Sequence, residues 1–347
     1  MAKYLEISET LKQEILDGKY EKEGKIPTEY ELVSRFNVSR QTVRQAISCL
    51  KNEGYLYQVQ GSGTYVSKPS RQIRKSGKTS ATVMVICTYI SDYIFPSIIR
   101  GIENKLSSNG ITINLVATGN RIDTERRILQ KILSEPDVDG IIVEGTKTGF
   151  PNPNIALYRE IQKLEIPLIF LHCSYPELSN SITVGMKEMD GGRYSITSLV
   201  ALGCRKFGAI FKSDDRQGLL RYAGFCDGLL DSGLDLDSAT VRWYTTEDLD
   251  RDKDILSTHI LDDFAEEDGV VCYNDQVALN FINAFKAANR PLPKLFSFDH
   301  SHLCDIFPPE VISIGHRKEE LGVVAATKMI NMLEGKKEDS VFLDWVI

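Results

Sequence analysis

The sequence has little that would place it in a membrane or in a compartment that favours disulfides. No stretch of its 347 residues approaches the roughly 18 uncharged apolar residues that a transmembrane helix needs. The first residues, Met1 to Ile7, contain no apolar run of signal-peptide length. The seven cysteines are odd in number, widely scattered and mostly inside apolar segments. We therefore expect buried, reduced thiols in a soluble, cytoplasmic protein.

Motifs of catalytic and metal sites are also missing. The sequence has no C-x-x-C or Cys/His spacing typical of zinc, no G-x-S-x-G elbow and no P-loop. His172, Cys173, Glu144 and Asp299 could be combined into an acid/base scheme or a glycosidase-like carboxylate pair. A cleft that only binds a ligand needs the same polar residues, however, so we expect no enzymatic activity, no cofactor and no metal.

The overall charge hides an uneven distribution. The chain has 41 Lys and Arg against 48 Asp and Glu, a formal net charge of −7, which on its own argues against a polyanionic partner. Residues 1–78 carry 14 Lys and Arg against 9 Asp and Glu, whereas the remaining 269 residues carry 27 against 39. A segment of +5 joined to one of −12 indicates a nucleic-acid-binding module attached to a separate domain.

Three helical patterns occupy the beginning of the chain. Apolar residues recur at helical spacing from Ile7 to Ile15, and Thr28 with Glu31 forms a capping box at the start of a second helix. The tight turn Asn37-Val38-Ser39 then leads into a third helix, for which Ser39 is a good N-cap. Two short helices joined by such a turn indicate a helix-turn-helix.

The third helix has one apolar and one polar face. Its apolar face runs from Val43 to Leu50, and its opposite face carries cations and amides without a carboxylate before Glu53. Arginine matches the two acceptors of guanine, and glutamine pairs bidentately with adenine in a major groove. The alternative is an amphipathic helix whose polar face is merely solvated. The candidate base-reading residues are Arg40, Gln41, Arg44 and Gln45.

A β-hairpin follows and favours the DNA-binding interpretation. Residues 55–59 read as a strand, residues 60–63 as a glycine-rich turn and residues 64–67 as the returning strand. A hairpin directly after a recognition helix is typical of a wing. Its glycine tip would let the backbone approach the phosphates or the minor groove closely.

These residues resemble a known family. Ile26–Leu32, Val38–Ala46, Gly54–Leu56 and Gln60–Val66 are similar, in order and spacing, to the winged helix-turn-helix of GntR-type bacterial transcription regulators. The resemblance covers about residues 3–67 and implies sequence-specific binding to double-stranded DNA. The DNA contacts that it implies are Lys3, Glu29, Arg40, Arg44 and the wing residues Gln60, Gly61, Gly63 and Thr64.

A polar connection separates this module from the rest of the chain. Residues 68–80 contain one aliphatic residue and five cations among small polar residues, so they cannot bury a core. We expect a DNA-binding domain over residues 1–68, a linker over 69–80 and a second domain over 81–347.

Beyond the linker, short apolar runs alternate with helical patterns. Runs that are apolar throughout and separated by helices predict parallel sheets covered on both faces. A region of this length suggests two α/β lobes with a cleft between them, and ligands bind at the carboxyl ends of such strands. The predicted strands are residues 82–88, 111–117, 141–143, 168–171, 207–211, 269–272, 295–298 and 311–314.

The positions after these strands are unusually polar. Carboxylates, amides and an arginine beside aromatic rings suit a polyhydroxylated ligand, because they bond hydroxyl groups while the rings cover the C–H face of a sugar. Each residue taken alone could equally cap a loop, but their recurrence at several strand ends favours a site. The candidates are Tyr89, Asp92, Tyr93, Glu144, His172, Arg221, Asn274, Asp275, Asp299 and His316.

This half of the chain resembles a second family. Ile166–His172, Gln217–Phe225, Cys272–Leu279 and Ser297–His300 are similar to the sugar-binding core of LacI/periplasmic-binding-type regulators. With Thr88–Glu103 and the winged helix, the whole chain resembles the arabinose-responsive repressors of Gram-positive bacteria. The resemblance implies inducer contacts from Glu144, His172, Arg221, Asn274 or Asp275, Asp299 and His316.

The combined resemblance implies a homodimeric repressor of L-arabinose utilisation genes. Such a protein would bind a pseudo-palindromic operator and leave it when L-arabinose closes the two lobes. The alternative is a repressor of the same architecture that answers another pentose, a hexose or a phosphosugar. A phosphosugar would need a cationic cluster at the cleft, for which the sequence offers only Arg221 and either Lys147 or Arg317.

Overall fold

The computed structural model describes residues 3–17, 19–20, 24–52, 55–59, 63–66, 81–91, 93–135, 137–178, 181–251 and 260–346. The chain falls into two compact units, Met1–Ser80 and Ala81–Ile347. The predicted linker, residues 69–80, lies outside the described residues.

The first unit is the predicted winged helix-turn-helix. Its helices are α1 (Lys3–Leu16), α2 (Glu29–Phe36) and α3 (Arg40–Asn52), and its antiparallel hairpin consists of β1 (Leu56–Val59) and β2 (Gly63–Val66). The capping box is present, because the Thr28 hydroxyl accepts from the Glu31 N–H and the Glu31 carboxylate accepts from the Thr28 N–H. Asn37 makes the turn before α3 with a φ of 48°, a left-handed conformation that asparagine tolerates.

One small core holds this unit together. Because α3 directs Val43, Ala46, Ile47 and Leu50 into the core, its polar face is turned outward. The buried residues that they meet come from α1, α2, the segment before α2 and the wing: Ile7, Leu11, Leu32, Ile26 and Leu56.

The second unit contains the two predicted α/β lobes. The first lobe has a six-stranded sheet of β3 (Thr82–Cys87), β4 (Thr112–Ala117), β5 (Gly140–Val143), β6 (Leu168–Leu171), β7 (Ile182–Met186) and β13 (Val341–Leu343). The second lobe has a five-stranded sheet of β8 (Phe207–Lys212), β9 (Thr240–Tyr244), β10 (Gly269–Cys272), β11 (Lys294–Asp299) and β12 (Val311–Gly315). Their orders are β13-β7-β6-β5-β3-β4 and β12-β11-β10-β8-β9, with parallel pairing throughout.

Helices cover both faces of each sheet. They are α4 (Phe95–Ser107), α5 (Ile122–Ser134), α6 (Ile155–Lys163), α7 (Glu188–Ala201), α8 (Arg216–Asp231), α9 (Thr246–Arg251), α10 (Asp275–Ala287) and α11 (Lys318–Leu333), with 3-10 turns at Leu236–Ser238 and His302–Ile306. In β3, Val83 and Val85 face the core under α4 and α11, whereas Ile86 faces the core under α5 and α6. This two-sided burial explains why the central strands are apolar throughout.

Strands β7, β9 and β13 are absent from the sequence prediction. Strands β9 and β13 lie at sheet edges, and each includes exposed residues, such as Trp243 and Phe342. Strand β7 is interrupted by Thr183 and Gly185. None of the three is therefore the continuous apolar run on which the prediction depended.

The chain crosses between the lobes three times. It passes from β7 to α7, returns from β12 to α11, and finally leaves β13 so that Val346 pairs with Gly315 of the second sheet. An ion pair of 2.6 Å between Lys187 Nζ and Asp344 Oδ1 joins the first and third crossings. These crossings bring the carboxyl ends of both sheets to the same cleft.

Helices α7 and α8 lie unusually close together, and their contact positions the cleft residues Glu188 and Arg221. A Cβ atom at Gly192 would lie 2.2 Å from the Arg221 carbonyl oxygen, and one at Gly224 would lie 2.0 Å from the Met189 carbonyl oxygen. Only glycine allows the two backbones to approach this closely.

No helix among the described residues combines the length and the apolar character that a membrane span requires.

We expect Gly192→Ala to lower the free energy of unfolding of the second unit by about 1–3 kcal/mol, because the added methyl group forces α7 and α8 apart. Urea denaturation followed by tryptophan fluorescence measures this, since both tryptophans, Trp243 and Trp345, belong to this unit. Thr197→Ala, at an exposed position on α7, is the control and should change stability by less than about 0.5 kcal/mol. Equal stability of the two variants would contradict the close-contact argument.

Candidate functional site

The outward face of α3 is a surface of cations and amides. Arg40, Gln41, Arg44 and Gln45 are all exposed, whereas Val43 and Leu50 on the opposite face are completely buried. The four predicted base-reading side chains are therefore available to a nucleic acid.

Glu29 joins two of these residues. Its carboxylate accepts from Arg40 Nε at 2.9 Å and from Arg44 Nε at 3.1 Å. The hydrogen bond from Arg40 lowers the pKa of Glu29 below its ordinary value, with Arg44 adding to the effect. The first residue of α2 thus holds two arginines, one helical turn apart, in a defined position. Lys3 lies at the start of α1 and pairs with Glu6, with Nζ 3.1 Å from Oε2.

The wing is anchored to the chain before α2. Lys25 forms a β-bridge with Tyr65, and the Ile26 N–H donates to the Thr64 carbonyl at 3.0 Å. Gly63 has a φ of 137°, and a Cβ there would lie 2.5 Å from Lys25 Cε, so this position requires glycine. Gln60 and Gly61 of the predicted wing tip lie outside the described residues.

A cavity of about 400 Å³ lies between the carboxyl ends of the two sheets in the second unit. Eight of the ten candidate effector residues line it, and Asp92 lies outside the described residues. The eight are Tyr89, Tyr93, Glu144, His172, Arg221, Asn274, Asp299 and His316.

Asp275, the remaining candidate, faces away from the cavity. Its completely buried carboxylate accepts from the hydroxyls of Ser297 and Ser313 at 2.6 Å each and from the Ser301 N–H at 2.6 Å. These bonds connect the start of α10 to β11, to β12 and to the turn that follows β11. Of the two alternatives for this position, only Asn274 lines the cavity, and its Oδ1 caps α10 by accepting from the Val277 N–H.

Glu144 and His172 form the first-lobe wall. Glu144 accepts from both the N–H and the hydroxyl of Thr88, and burial raises its pKa to about 7. His172 Nε2 lies 4.0 Å from a Glu144 oxygen. Burial lowers the pKa of His172 to about 3, so the imidazole is neutral at pH 7 and can either accept or donate a hydrogen bond.

Arg221 dominates the second-lobe wall. Its Nε donates to Glu188 at 2.7 Å, its Nη1 donates to the Tyr273 carbonyl at 2.6 Å, and its Nη2 lies 3.6 Å from Asp299. The guanidinium also lies 4.4 Å above the ring centroid of Phe298. Burial lowers the pKa of Arg221, but the Glu188 and Asp299 carboxylates raise it above the ordinary value, so the buried cation is paired.

Lys212 is a second cavity cation that the sequence analysis missed. Its Nζ lies 2.7 Å from Asp215 and 3.3 Å from Asp214. Burial lowers the pKa of Lys212, but the two carboxylates raise it above the ordinary lysine value. Lys147, proposed from the sequence as a cleft cation, is instead paired with Asp214 and does not line the cavity.

Other lining residues were also missed, notably Glu188, Asp215, Asn120 and Gln217. Asp215 lies three residues after the end of β8, and Glu188 lies two residues after the end of β7. The strand-end pattern therefore applies to Asp215 as well. Glu188 was not predicted because the strand before it, β7, was not predicted.

Three buried polar atoms at this cavity have no hydrogen-bond partner among the described residues: His172 Nε2, Glu188 Oε1 and His316 Nδ1. Burial lowers the pKa of His316 to about 3, so both imidazoles are neutral. Buried polar atoms are nearly always paired in proteins. Unpaired atoms on both walls therefore indicate positions for the hydroxyl groups of a ligand.

The backbone is strained at the cavity. Tyr93, His172 and Asp299 have φ values of 60°, 61° and 91°, which non-glycine residues rarely adopt. Such conformations persist where the surrounding structure enforces them, commonly at ligand sites. The described residues contain no cluster of three or more His, Cys, Asp or Glu side chains that could hold a metal ion.

Comparison with known proteins places this architecture in a family. Residues 3–66 match bacterial regulatory proteins of the gntR family, and residues 196–343 match a periplasmic binding protein-like domain. The chain is 36% identical over 343 residues to the arabinose metabolism transcriptional repressor of Halalkalibacterium halodurans, covering 97% of this chain and 91% of that protein.

The chain belongs to the family of the arabinose metabolism transcriptional repressors, with a gntR-family domain over residues 3–66.

A second relative and a solved structure are also similar to the chain. The regulator is 33% identical over 346 residues to the arabinose metabolism transcriptional repressor of Geobacillus stearothermophilus, covering 98% of this chain and 94% of that protein. Its fold matches the crystal structure of transcription regulator CcpA of Lactococcus lactis with a TM-score of 0.67 and 19% identity, covering 77% of this chain and 97% of that one.

The GntR-family regulator is thus a DNA-binding transcriptional regulator. The prediction that it is not an enzyme is confirmed by these relatives, which are transcriptional regulators.

Proposed function

We propose that this regulator represses genes of L-arabinose utilisation and that L-arabinose, bound in the interlobe cavity, releases it from its operator. The observation that carries the proposal is the full-length likeness to two arabinose metabolism transcriptional repressors. The cavity adds chemical support, because its carboxylates, neutral imidazoles and amide groups match the hydroxyls of a sugar.

The charge of the cavity favours a neutral ligand. Among the described residues, four carboxylic acids line it, Glu144, Glu188, Asp215 and Asp299, against the two cations Lys212 and Arg221. Each cation is already paired with carboxylates, so a phosphate or an acidic sugar would meet repulsion without a free cation to offset it. This favours an unmodified sugar over a phosphosugar. A repressor that answers a different neutral sugar is the second candidate.

On the DNA side, we propose that the protein acts as a homodimer on a pseudo-palindromic operator. Each protomer would place Arg40, Gln41, Arg44 and Gln45 in a major groove, with Gly63 and Thr64 of the wing beside the backbone. Glu29 would orient Arg40 and Arg44, since its carboxylate bonds both in the unbound protein. The exposed polar face of α3 supports this arrangement.

The central test is operator release. We expect L-arabinose to weaken binding of the full chain to an operator duplex, obtained by selection from a random library, by the 5- to 150-fold that about 1–3 kcal/mol of coupling produces. Fluorescence anisotropy with labelled duplex measures the effect. D-arabinose, the mirror image, is the control, because it offers the same hydroxyls in the wrong geometry. Unchanged binding at saturating L-arabinose would exclude it as the inducer, and release by another neutral sugar would favour the second candidate.

Base reading by Arg44 is testable on the same duplex. We expect Arg44→Ala to lose about 1–3 kcal/mol of operator binding and to relax the base preference at one position of each half-site. Arg100→Ala, which removes an exposed arginine of the second unit, should bind like the unchanged protein. Uniform weakening on every sequence would instead identify Arg44 as a phosphate contact.

Glu144 makes sugar binding pH-dependent. Its pKa of about 7 means that the carboxylate, which can accept from two sugar hydroxyls, forms largely between pH 6 and 8. We therefore expect the affinity for L-arabinose to rise roughly tenfold over this interval. His172 and His316 stay neutral throughout because their pKa values are about 3.

Isothermal titration calorimetry at pH 6, 7 and 8 measures this dependence. Glu144→Gln is the matched control, since it keeps the shape of the side chain but does not titrate. Its binding should be weaker than that of the unchanged protein and independent of pH. A pH dependence that persists in Glu144→Gln would assign the titration to another group.

A further inference from the structure

A cluster of charged side chains joins the two lobes beside the cavity. Lys147, in the loop after β5 of the first lobe, donates from Nζ to Asp214 Oδ2 at 2.9 Å and to Glu247 Oε2 at 2.6 Å. Both acceptors belong to the second lobe, because Asp214 follows β8 and Glu247 lies in α9. These ion pairs therefore hold only while the lobes stay together.

The pair with Asp214 is buried. The side chain of Lys147 is 10% exposed and that of Asp214 is completely buried. Burial lowers the pKa of Lys147, but Glu247 and Asp214 raise it above the ordinary value. Burial raises the pKa of Asp214, but Lys212 and Lys147 bring it below the ordinary value. Both groups are therefore charged at neutral pH.

Backbone and side-chain hydrogen bonds surround this pair and also cross between the lobes. Asn120 Nδ2 donates to Thr246 Oγ1 at 2.7 Å, and the Arg216 N–H donates to Thr148 Oγ1 at 3.0 Å. The Gly149 N–H donates to the Asp214 carbonyl at 3.1 Å. The loop that carries Lys147 thus closes against the second lobe at several points.

The first-lobe side of this contact is held by hydrogen bonds within that lobe. The completely buried Glu125 accepts from the Thr146 N–H at 3.1 Å and from Asn152 Nδ2 at 2.8 Å. Asn120 Oδ1 accepts from the Lys147 N–H at 2.9 Å. Lys147 is therefore presented to the second lobe by a loop that is also hydrogen-bonded to the rest of the first lobe through the Thr146 and Lys147 N–H groups.

Asp214 also connects this contact to the cavity. While its Oδ2 faces Lys147, its Oδ1 lies 3.3 Å from Nζ of Lys212, which lines the cavity. One buried carboxylate thus lies between a cation of the opposite lobe and a cation of the ligand site.

We propose that Lys147 is a positioning residue for the effector cavity, which holds the two lobes closed through Asp214 and Glu247. The shared carboxylate of Asp214 couples this closure to Lys212. The Lys147 ion pairs therefore strengthen the binding of a ligand that contacts Lys212, and such a ligand in turn strengthens the ion pairs. The inference rests on the proposed function in taking the ligand to be a sugar.

If the Lys147 ammonium is removed, the Asp214 carboxylate stays buried in the closed arrangement with one cation fewer, whereas water solvates it when the lobes separate. A buried charge that has lost a partner is strongly unfavourable. The substitution therefore penalises the closed arrangement and not the separated one.

The first experiment needs no sugar. In the full chain, Lys147→Met should speed hydrogen–deuterium exchange at the amides of Gly149, Arg216 and Thr246, whose hydrogen bonds join the lobes or reach Asp214. Lys147→Arg keeps the cation and should exchange like the unchanged protein. Lys328→Met is the matched control, because Lys328 and Glu338 form a partly buried 2.6 Å pair that lies within the first lobe and does not join the lobes. Unchanged exchange at these amides in Lys147→Met would overturn the proposal.

The second experiment measures L-arabinose binding by calorimetry. We expect Lys147→Met to raise the Kd about tenfold, because the binding-competent closed form becomes rarer. Lys147→Arg should restore most of the affinity, and Lys328→Met should leave it unchanged. Equal affinity in Lys147→Met and the unchanged protein would overturn the coupling between closure and the cavity.

The two proposals fail separately. If the unchanged protein does not bind L-arabinose, the proposed function fails, while the exchange experiment without sugar still decides whether Lys147 holds the lobes closed. If the unchanged protein binds L-arabinose but Lys147→Met behaves identically in both experiments, the proposed function stands and the positioning role fails.

Discussion

Charge buried between the two lobes has to be paired, and this requirement arranges the effector cavity. The Arg221 guanidinium is bonded to Glu188, approaches Asp299 and lies over the ring of Phe298. An unpaired cation at such a depth would cost several kcal/mol. Lys212 is likewise paired, with the carboxylates of Asp214 and Asp215. Because Lys212 and Arg221 are both paired, the residues that the structure describes around the cavity present hydrogen-bonding groups and no free positive charge.

The ion pairs on the outward face of α3 are exposed instead of buried. Glu29 bonds Arg40 and Arg44, but both arginine side chains are more than 60% exposed. Exposed pairs of this kind are worth about 0–1 kcal/mol, so phosphates and base edges can compete for the arginines at little cost. A buried ion pair fixes its cation, whereas an exposed ion pair orients the cation and still lets it exchange its carboxylate for another partner. The exposed arrangement suits a surface that binds and releases DNA.

Much of the fold could be predicted because buried positions recur at regular spacing and are occupied by apolar residues. The face from Val43 to Leu50 and the capping box at Thr28 are local patterns, and both appear in the structure. The central strands are buried on both faces and read as apolar runs. Strands β9 and β13 were missed because an edge strand is half exposed and lacks such a run. The cavity residues Glu144, His172 and Asp299 were found because parallel topology brings all strand ends to one side.

By itself, the sequence determined the two-part organisation, the helix-turn-helix with its outward arginines, the α/β class of the second unit and most of the residues around the cleft. Only the tertiary structure decided which of two neighbouring residues faces the cavity. It directed Asn274 toward the cavity and Asp275 into the lobe, and it placed Lys212 at the cavity and Lys147 across the lobes. The spacing of apolar residues indicates whether a residue is buried, because burial depends on which face of its own helix or strand the residue occupies. The partner of a buried charge depends instead on segments more than 60 residues away, such as Asp214 for Lys147, which meet only when the lobes come together.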